Sequence, residues 1–425
     1  MVQALKVEPA LEISHARTDP HDVLVGGTNS AFPFPLSGCI ERASGTRIWD
    51  ESGNQYIDFL LASGPLVLGH SHPAVMTAVA QQLQKGTAYY SVNRPAVELA
   101  EMLVSIPGCA EIVRFASTGT EATMHAIRLA RAYTARDKVL TFSGSYHGSH
   151  DVSIVGHRGA LKAQRGGVPA NVVDDVVIAG FGDIDSVREA FAQHPGEIAA
   201  VVIEPQQRSL DPPAGFLEAL REDCTANGIV LIFDEVLTGF RLAYGGAQEY
   251  YGVVPDIVCY GKIVGGGFPL AAVAGRSEIL NLADPARADA SDFVHFSGTL
   301  SGNPVAAVAG IVTLRELQGE GVYERLLHLG SYLRQRLSDA LKSAGIDGEV
   351  IGSGPLAAVD FHDAGGPGSS KLLKSEVNRE MIARGILVQL QTRFYISLLH
   401  TEEDLDRATD AFAESLSALR RPVAV

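Results

Sequence analysis

The chain has 425 residues, of which 46% are hydrophobic and 20% charged, which is enough apolar material for a globular protein of two or more lobes. Its formal net charge is -15 and no run of Lys and Arg stands out, so nucleic acids and anionic membrane surfaces are poor candidates for partners. The four cysteines are scattered without a C-x-x-C pair, so the sequence predicts neither a metal site nor a disulfide framework.

The beginning of the chain shows no export signal. Residues 1–20 lack the apolar core of a signal peptide, and no uninterrupted apolar run reaches membrane-spanning length. Residues 1–30 also lack a strong periodicity. We therefore expect a cytoplasmic protein in which residues 1–30 form either a mobile arm or a helix that docks on something else.

The first predicted elements are a β-hairpin and a helix. Residues 45–60, GTRIWDESGNQYIDFL, place the polar turn DESGN between two apolar strands. Residues 73–86 have the apolar period of a helix and end at a glycine. From about residue 70 onward, helical patterns alternate with short apolar runs.

That alternation continues through the middle of the chain. Residues 120–137 place Ala122, Ala126, Leu129 and Tyr133 on one helical face. The segments KVLTF, AAVVIEP, IVLIFDEV and DIVCYGK lie between helical patterns and are typical of parallel strands covered on both faces. The pattern predicts an α/β fold with a doubly wound, mostly parallel sheet, followed after about residue 305 by a small α+β lobe.

Chemically active side chains stand where several of these strands end. Glu204 follows VVI, Asp234 follows LIF and Lys262 follows VCYG, while KVLTF runs on into SGSYHG with Tyr146 and His147. A single acid at a strand end is commonly a cap or an ion-pair partner. Because ligands bind beyond the carboxyl ends of parallel strands, this group together predicts a shared active site.

The segment FASTGTEATMHAIRLA predicts an anion site. A short strand leads into Thr118, Gly119 and Thr120, and a helix begins at Glu121. Glycine allows close backbone approach, and the hydroxyls and free N–H groups of a helix start suit a phosphate. The same residues would also serve as an ordinary helix N-cap. The segment lacks the Gly-Lys-Ser/Thr of a nucleotide-binding P-loop.

Taken together, these residues meet the requirements of pyridoxal phosphate (PLP). Its aldehyde needs an amine, its phosphate a helix N-terminus, and its ring nitrogen a carboxylate that keeps it protonated. Lys262 supplies the amine, with Gly265, Gly266 and Gly267 giving it room, and Asp234 supplies the carboxylate. A free lysine has a pKa of about 10.4, so it needs a buried, electropositive setting to react near neutrality.

The chain resembles the class III aminotransferases of PLP fold type I, especially the glutamate-1-semialdehyde aminomutase-like aminotransferases. The likeness runs from about Gly45 to about Asp406 and rests on STGTEATMHAIRLARAYTARDK, SYHG, GFLEALRE, LIFDEVLTGFR, PDIVCYGKIVGGGFPLAAVAG and GTLSGNP. It implies that residues 1–60 join a small lobe, that residues 61–304 form the large PLP-binding domain, and that residues 305–425 form the small α+β domain.

The resemblance also implies roles in binding the cofactor. Lys262 would form the internal aldimine and shuttle a proton, Asp234 would pair with the ring nitrogen, and Tyr146 and Val236 would cover the two ring faces. The remaining implied cofactor-binding residues are Thr118, Gly119 and Thr120 at the phosphate, His147, Glu204 near the ring oxygen, and Thr299. At the phosphate the family usually reads N-S-G-T, where this chain has S-T-G-T.

Two further expectations follow from the resemblance. Thr299 would reach the phosphate of a partner subunit, which makes a homodimer the expected minimal unit. Glu121 and Arg241 would form a structural ion pair under the cofactor, without a catalytic role.

The substrate site departs from the aminomutase pattern. Residues 149–173 do not match the Gly-, Ser- and Thr-rich gating loop that an aminomutase carries after its Y-H-G motif. Arg393 occupies the position where amine-transferring members bind a substrate carboxylate, which the planar guanidinium suits. Ser209 stands where ω-amino-acid members have a glutamate that masks this arginine, and Arg208 is a second candidate cation.

These features predict a PLP-dependent aminotransferase that moves an amino group from an amino acid or related amine to an α-keto acid in a ping-pong cycle. The main alternative is glutamate-1-semialdehyde 2,1-aminomutase, an intramolecular transfer. A racemase, a decarboxylase, or a PLP-fold binding protein without catalysis are further alternatives. The sequence leaves the identity of the donor open.

Overall fold

The computed structural model describes part of the chain, namely residues 19–28, 36, 38–157, 166–362, 369–390 and 393–420. Its contacts divide the chain into two compact units, residues 1–39 and 40–425. In the first unit the described residues form a short helix, Pro20–Val23, and a 3-10 turn, Val25–Gly27. All elements discussed below belong to the second unit.

The largest sheet in the described part of the chain has seven strands. In spatial order they are Ile112–Ala116, Ala271–Gly275, Ile257–Tyr260, Val230–Glu235, Ile198–Ile203, Lys138–Phe142 and Val176–Ala179. Ala271–Gly275 runs antiparallel to both of its neighbours, and the other pairs are parallel. The predicted α/β fold with a mostly parallel sheet is therefore confirmed.

The central strands are apolar throughout because both faces of the sheet are covered. In Val230–Glu235, Leu231 and Phe233 pack into one core cluster, and Val230 and Ile232 pack into another. Successive side chains of a strand point to opposite faces, so this division follows directly from the period of two. Continuous aliphatic runs in the sequence are thus typical of strands that are buried on both sides.

Helices surround the sheet and continue into the carboxy-terminal part. In the second unit they are Pro73–Leu83, Arg94–Val104, Gly119–Thr134, Asp151–Ile154, Ala170–Asp174, Ile184–Gln193, Phe216–Asn227, Gly246–Tyr251, Ser277–Leu280, Pro304–Leu317, Val322–Ala344, Ser369–Ala383 and Glu402–Arg420. The helices expected from residues 73–86 and 120–137 are both present. No helix among the described residues is long and apolar enough to cross a membrane.

Two smaller sheets complete the described structure. One contains Ile40–Ser44, the predicted hairpin Arg47–Asp50 and Gln55–Asp58, and Ile386–Leu387, which pairs in parallel with Gln55–Asp58. The other contains Gly348–Ile351, Leu356–Phe361 and Phe394–Tyr395.

The hairpin also contributes side chains to a carboxy-terminal core. Ile57 and Phe59 belong to the same buried cluster as Leu333, Val359 and Phe412. This packing agrees with a small lobe assembled from both ends of the chain. The domain boundaries at residues 60 and 304 stay predictions.

Candidate active site

Three adjacent strands deliver the predicted acids and the lysine to one edge of the sheet. Asp234 lies within Val230–Glu235, and Lys262 follows its parallel neighbour Ile257–Tyr260. Glu204 follows Ile198–Ile203, which pairs with the other side of the Asp234 strand. The structure therefore brings these residues together at the carboxyl ends of the strands, where ligands bind in such sheets.

Lys262 begins a 3-10 turn with a left-handed backbone, φ 48°. A non-glycine residue in that region costs on the order of 1 kcal/mol and persists only where its surroundings impose it. Burial lowers the pKa of Lys262. The charges of Arg393 and Arg241 lower it further, whereas Tyr395 and Asp234 oppose this effect. A lysine with a lowered pKa carries more free amine and is a better nucleophile.

The glycines after Lys262 allow neighbouring elements to pack closely. A Cβ on Gly266 would lie 2.6 Å from the carbonyl oxygen of Ala309, in the helix Pro304–Leu317. A Cβ on Gly267 would lie 2.9 Å from the side chain of Leu66. The glycine run therefore lets a helix and a neighbouring loop approach the lysine turn closely.

Asp234 is buried and held by two hydrogen bonds. Its Oδ2 lies 2.7 Å from Nδ1 of His147, and its Oδ1 accepts from the backbone N–H of Val236 at 3.1 Å. His147 is itself buried, and its Nε2 has no hydrogen-bond partner among the described residues. His147 thus orients the carboxylate through Nδ1, and its own contact with a cofactor stays a prediction.

Tyr146 presents an exposed ring beside this pair. The residue is 45% exposed, while its backbone N–H donates to Oε2 of Glu204 at 2.9 Å. Glu204 is therefore used to fix the backbone that carries the ring. The sequence did not indicate this anchoring role, because it joins residues that are distant along the chain.

The predicted phosphate site is the start of the helix Gly119–Thr134. Thr118 caps the helix, since its Oγ1 accepts from the N–H of Glu121 at 3.1 Å, and Glu121 in turn accepts from the N–H of Ser117 at 2.7 Å. This arrangement is similar to a capping box, except that Glu121 accepts from the residue before the N-cap instead of from the N-cap itself. Ser149 donates its N–H to Oγ1 of Thr120 at 3.3 Å, which brings the Tyr146 loop against the same turn.

A narrow cradle separates this helix start from the Asp234 strand. A Cβ on Gly119 would lie 2.9 and 3.0 Å from the two methyl groups of Val236, and one on Gly261 would lie 3.0 Å from the same side chain. Only glycine therefore fits at both positions. A helix N-terminus, a buried carboxylate, an exposed aromatic ring and a depressed lysine pKa around this cradle fit pyridoxal phosphate.

The predicted ion pair between Glu121 and Arg241 is wrong. The buried guanidinium of Arg241 donates Nε to the carbonyl oxygen of Leu237 at 2.9 Å and Nη2 to that of Gly64. Glu121 is occupied by the backbone of Ser117, as described above. Sequence spacing did not reveal that nearby backbone groups engage both side chains, although Nη1 of Arg241 is buried without a partner among the described residues.

The three predicted substrate-binding residues lie together. Arg393 is 4% exposed, and its Nη1 donates to the carbonyl oxygen of Arg208, while its Nε is buried without a partner among the described residues. Arg208, with φ 62°, places its guanidinium 5.6 Å from the ring centre of Tyr146. The buried Oγ of Ser209 likewise lacks a partner in the described structure.

Two further residues are Thr299, which the sequence predicted, and Tyr395, which it did not. Thr299 lies on an exposed turn, and its contact with the phosphate of a partner subunit stays a prediction. Tyr395 was not identified from the sequence, although it is buried among Arg241, Arg393 and Lys262. The sequence did not indicate a role for Tyr395, because the segment FYISLLH predicts only a strand.

Comparison with known proteins shows the family to which the chain belongs. Residues 33–416 match the family described as Aminotransferase class-III, so the chain belongs to the class III aminotransferase family. It is therefore an enzyme of a PLP-dependent family, and pyridoxal phosphate is its cofactor.

Individual relatives cover nearly the whole chain. A glutamate-1-semialdehyde 2,1-aminomutase of Desulforamulus reducens is 42% identical over 410 residues, which are 92% of this chain and 94% of the relative. An omega-transaminase from Sphaerobacter thermophilus is 34% identical with a TM-score of 0.88, covering 95% of this chain and 96% of its own. A transaminase solved with PLP bound has the same identity and TM-score, covering 94% and 96%.

Proposed function

We propose that the protein is an aminotransferase that moves an amino group from an amino acid, whose amine lies near a carboxylate, to an α-keto acid. The observation that carries this proposal is Arg393. Its guanidinium is buried beside Lys262, it contacts a backbone carbonyl rather than an acid, and one of its N–H groups lacks a partner among the described residues. A buried cation of this kind suits a substrate carboxylate.

The other residues of the site have roles set by their contacts. Pyridoxal phosphate, when bound, supplies a conjugated ring that withdraws electrons from the substrate carbon bearing the amine. Lys262 provides the amine that holds the cofactor and moves a proton. Asp234, oriented by His147, keeps a proton on the ring nitrogen. Tyr146 covers one face of the ring.

The phosphate contacts and substrate contacts divide between two parts of the site. Thr118, Gly119 and Thr120 would hold the phosphate at the helix start, where N–H groups and the helix dipole favour an anion. Arg393 would bind the substrate carboxylate, and Ser209 would offer a hydroxyl next to it. With the phosphate held at the helix start and the carboxylate at Arg393, the amine of the substrate would point toward the cofactor.

The second candidate is glutamate-1-semialdehyde 2,1-aminomutase, which is the name of the relative at 42% identity. An intramolecular transfer must retain its intermediate, so a gate over the site matters to it. Residues 149–173 do not match the gate of that enzyme, and residues 158–165 lie outside the described structure. Arg393, which has no acidic partner among the described residues, also supports an exchange between two carboxylate-bearing substrates.

We further propose a homodimer in which Thr299 completes the phosphate site of the partner subunit. Several large apolar side chains near this turn are exposed in the single chain: Tyr90 is 97%, Val92 84% and Leu300 54% exposed. Asn93 donates to the carbonyl oxygen of Gly302 at 2.9 Å, which holds these two segments together. An exposed apolar patch of this kind is typical of an interface.

The deciding experiment is a half-reaction absorbance scan of the loaded enzyme against a panel of amino acids and amines without keto acid. Conversion of the lysine-bound cofactor to its amine form by an amino acid, reversed by an α-keto acid, supports the aminotransferase. If only glutamate-1-semialdehyde or a diamine responds, and the original spectrum returns without keto acid, the aminomutase is correct and the argument from Arg393 fails.

A further inference from the structure

The loop Leu61–Gly64 has an unusual left-handed backbone. Leu61, Ala62, Ser63 and Gly64 have φ angles of 47°, 56°, 67° and 108° in succession. Each of the three non-glycine residues costs about 1–2 kcal/mol in this conformation, so a run of them needs strong support from the surroundings. Part of that support is visible, since the carbonyl of Gly64 accepts from the buried Arg241.

This left-handed turn holds the phenol of Tyr395. The hydroxyl of Ser63 hydrogen-bonds with the hydroxyl of Tyr395. A Cβ on Gly64 would lie 2.6 Å from the edge of the tyrosine ring, so only glycine permits the ring to lie this close. The strained backbone thus places the hydroxyl of Ser63 beside Tyr395, and the absence of a side chain at Gly64 lets the ring lie close.

Tyr395 lies in the middle of a cluster of cations. The guanidinium carbons of Arg241 and Arg393 lie 5.4 and 5.7 Å from its ring centre, and the charge of Lys262 acts on its phenol. The electron-rich ring face attracts the two guanidinium groups. Burial would raise the pKa of Tyr395, but the charges of Arg393, Lys262 and Arg241, with the bond to Ser63, hold it below the ordinary value.

The charged surroundings of Lys262 show what the phenol contributes. Arg393 and Arg241 disfavour a proton on the lysine nitrogen, whereas Asp234 and Tyr395 favour one. Asp234 is already engaged by His147 and the backbone of Val236. Tyr395 therefore lies against both guanidinium groups and opposes their effect on the lysine.

We propose that Tyr395, fixed by the left-handed turn through Ser63, is a positioning residue that sets the pH at which the nitrogen of Lys262 gives up its proton. The proposal rests on the proposed role of Lys262 as the cofactor-binding amine. It assigns a function to the strained turn: a change at Ser63 acts on the lysine through the tyrosine.

The test is a pH titration of the full-length protein loaded with PLP, without substrate, in which absorbance reports protonation of the nitrogen that joins Lys262 to the cofactor. In Tyr395→Phe the ring stays and only the hydroxyl is lost. We expect the midpoint to move to lower pH by about one unit, because a partner of the positive charge is removed. Ser63→Ala should move it in the same direction by less.

A matched control and a second readout separate this role from a structural one. Tyr323→Phe also removes a phenolic hydroxyl, but that hydroxyl donates to the carbonyl oxygen of Phe240. The midpoint of the pH titration should therefore not move in this variant. The second readout uses the full-length protein freed of cofactor and follows how the reaction of Lys262 with pyridoxal depends on pH. This dependence should shift to lower pH in Tyr395→Phe and stay unchanged in Tyr323→Phe.

Clear outcomes overturn the proposal. An unchanged midpoint in Tyr395→Phe, or an equal shift in Tyr323→Phe, contradicts the proposal. If Tyr395→Phe does not fold, an unchanged midpoint in Ser63→Ala contradicts it instead. The titration needs no amino donor, so failure of the proposed aminotransferase reaction does not affect it. If Lys262→Ala keeps the same titrating band, the assigned role of Lys262 is wrong, and the proposal for Tyr395 falls with it.

Discussion

The most informative substitution is Arg393→Gln. It removes the guanidinium but leaves a side-chain amide, so an N–H group remains to donate to the carbonyl of Arg208. A charge-assisted hydrogen bond contributes about 1.5–3 kcal/mol, and two would bind a substrate carboxylate. Since Nη1 of Arg393 donates to the carbonyl oxygen of Arg208, the Nε and Nη2 nitrogens can each donate one hydrogen bond to the substrate carboxylate. Taking the lower value for each, we expect a loss of about 3 kcal/mol, or roughly 100-fold in kcat/KM.

The assay compares two amino donors that differ only in the carboxylate next to the amine. Single-turnover conversion of the loaded enzyme is followed by absorbance for each donor. In Arg393→Gln only the donor with the carboxylate should slow by roughly 100-fold, because the other donor never used the guanidinium. Arg325→Gln is a matched control, since Arg325 donates to the carbonyl oxygens of Leu398 and His400 at 3.0 and 2.8 Å.

Two results would refute this reasoning. If both donors slow equally, the substitution has disturbed the site in general, and the guanidinium is not the carboxylate contact. If neither donor slows, the buried position of Arg393 has another purpose. In either case the proposal that the substrate amine lies near a carboxylate loses its main support.

Three further predictions concern the cofactor, stability and assembly. Gly119→Ala should weaken PLP binding about tenfold in a fluorescence titration, because the added methyl meets Val236, whereas Gly166→Ala, which faces open space, should not. Burial raises the pKa of Glu235 to about 7 from 4.5, so its proton is retained in the folded state between these values and lost from the unfolded chain. Its contribution to the free energy of unfolding should therefore decrease by about 3 kcal/mol as the pH rises from about 4.5 to about 7, and urea titrations of Glu235→Gln should lack this decrease. Thr299→Val should lower PLP affinity while sedimentation still shows a dimer.

Each of these predictions has a contrary outcome. Equal PLP affinity in Gly119→Ala and Gly166→Ala would show that the close contact between Gly119 and Val236 does not matter for binding the cofactor. Parallel stability curves for wild type and Glu235→Gln across the pH range would mean that Glu235 is not protonated on folding. A monomer that binds PLP normally would contradict the role proposed for Thr299.

Much of the site was predictable because it lies in local sequence patterns. Short aliphatic runs ending in Asp234 and Lys262 identified parallel strands and the side chains presented at their ends, since continuous apolar composition is a property of the chain alone. The turn before Glu121 identified a helix start in the same way. These patterns act over a few residues, so they can be read without a structure.

The contacts that tune the site could not be predicted, because they join residues far apart in the chain. The Arg241 guanidinium binds the Gly64 carbonyl instead of Glu121, and Glu204 anchors the backbone of Tyr146. Such pairings depend on how the strands and loops pack, and no local pattern encodes them.

The sequence by itself therefore determined the fold class, the cofactor and the residues presented at the strand ends. Only the tertiary structure decided what surrounds Lys262, including the left-handed turn that brings Ser63 to Tyr395. The physical reason is that backbone periodicity is local, whereas the balance of buried charges around one amine is the sum of groups from many distant segments.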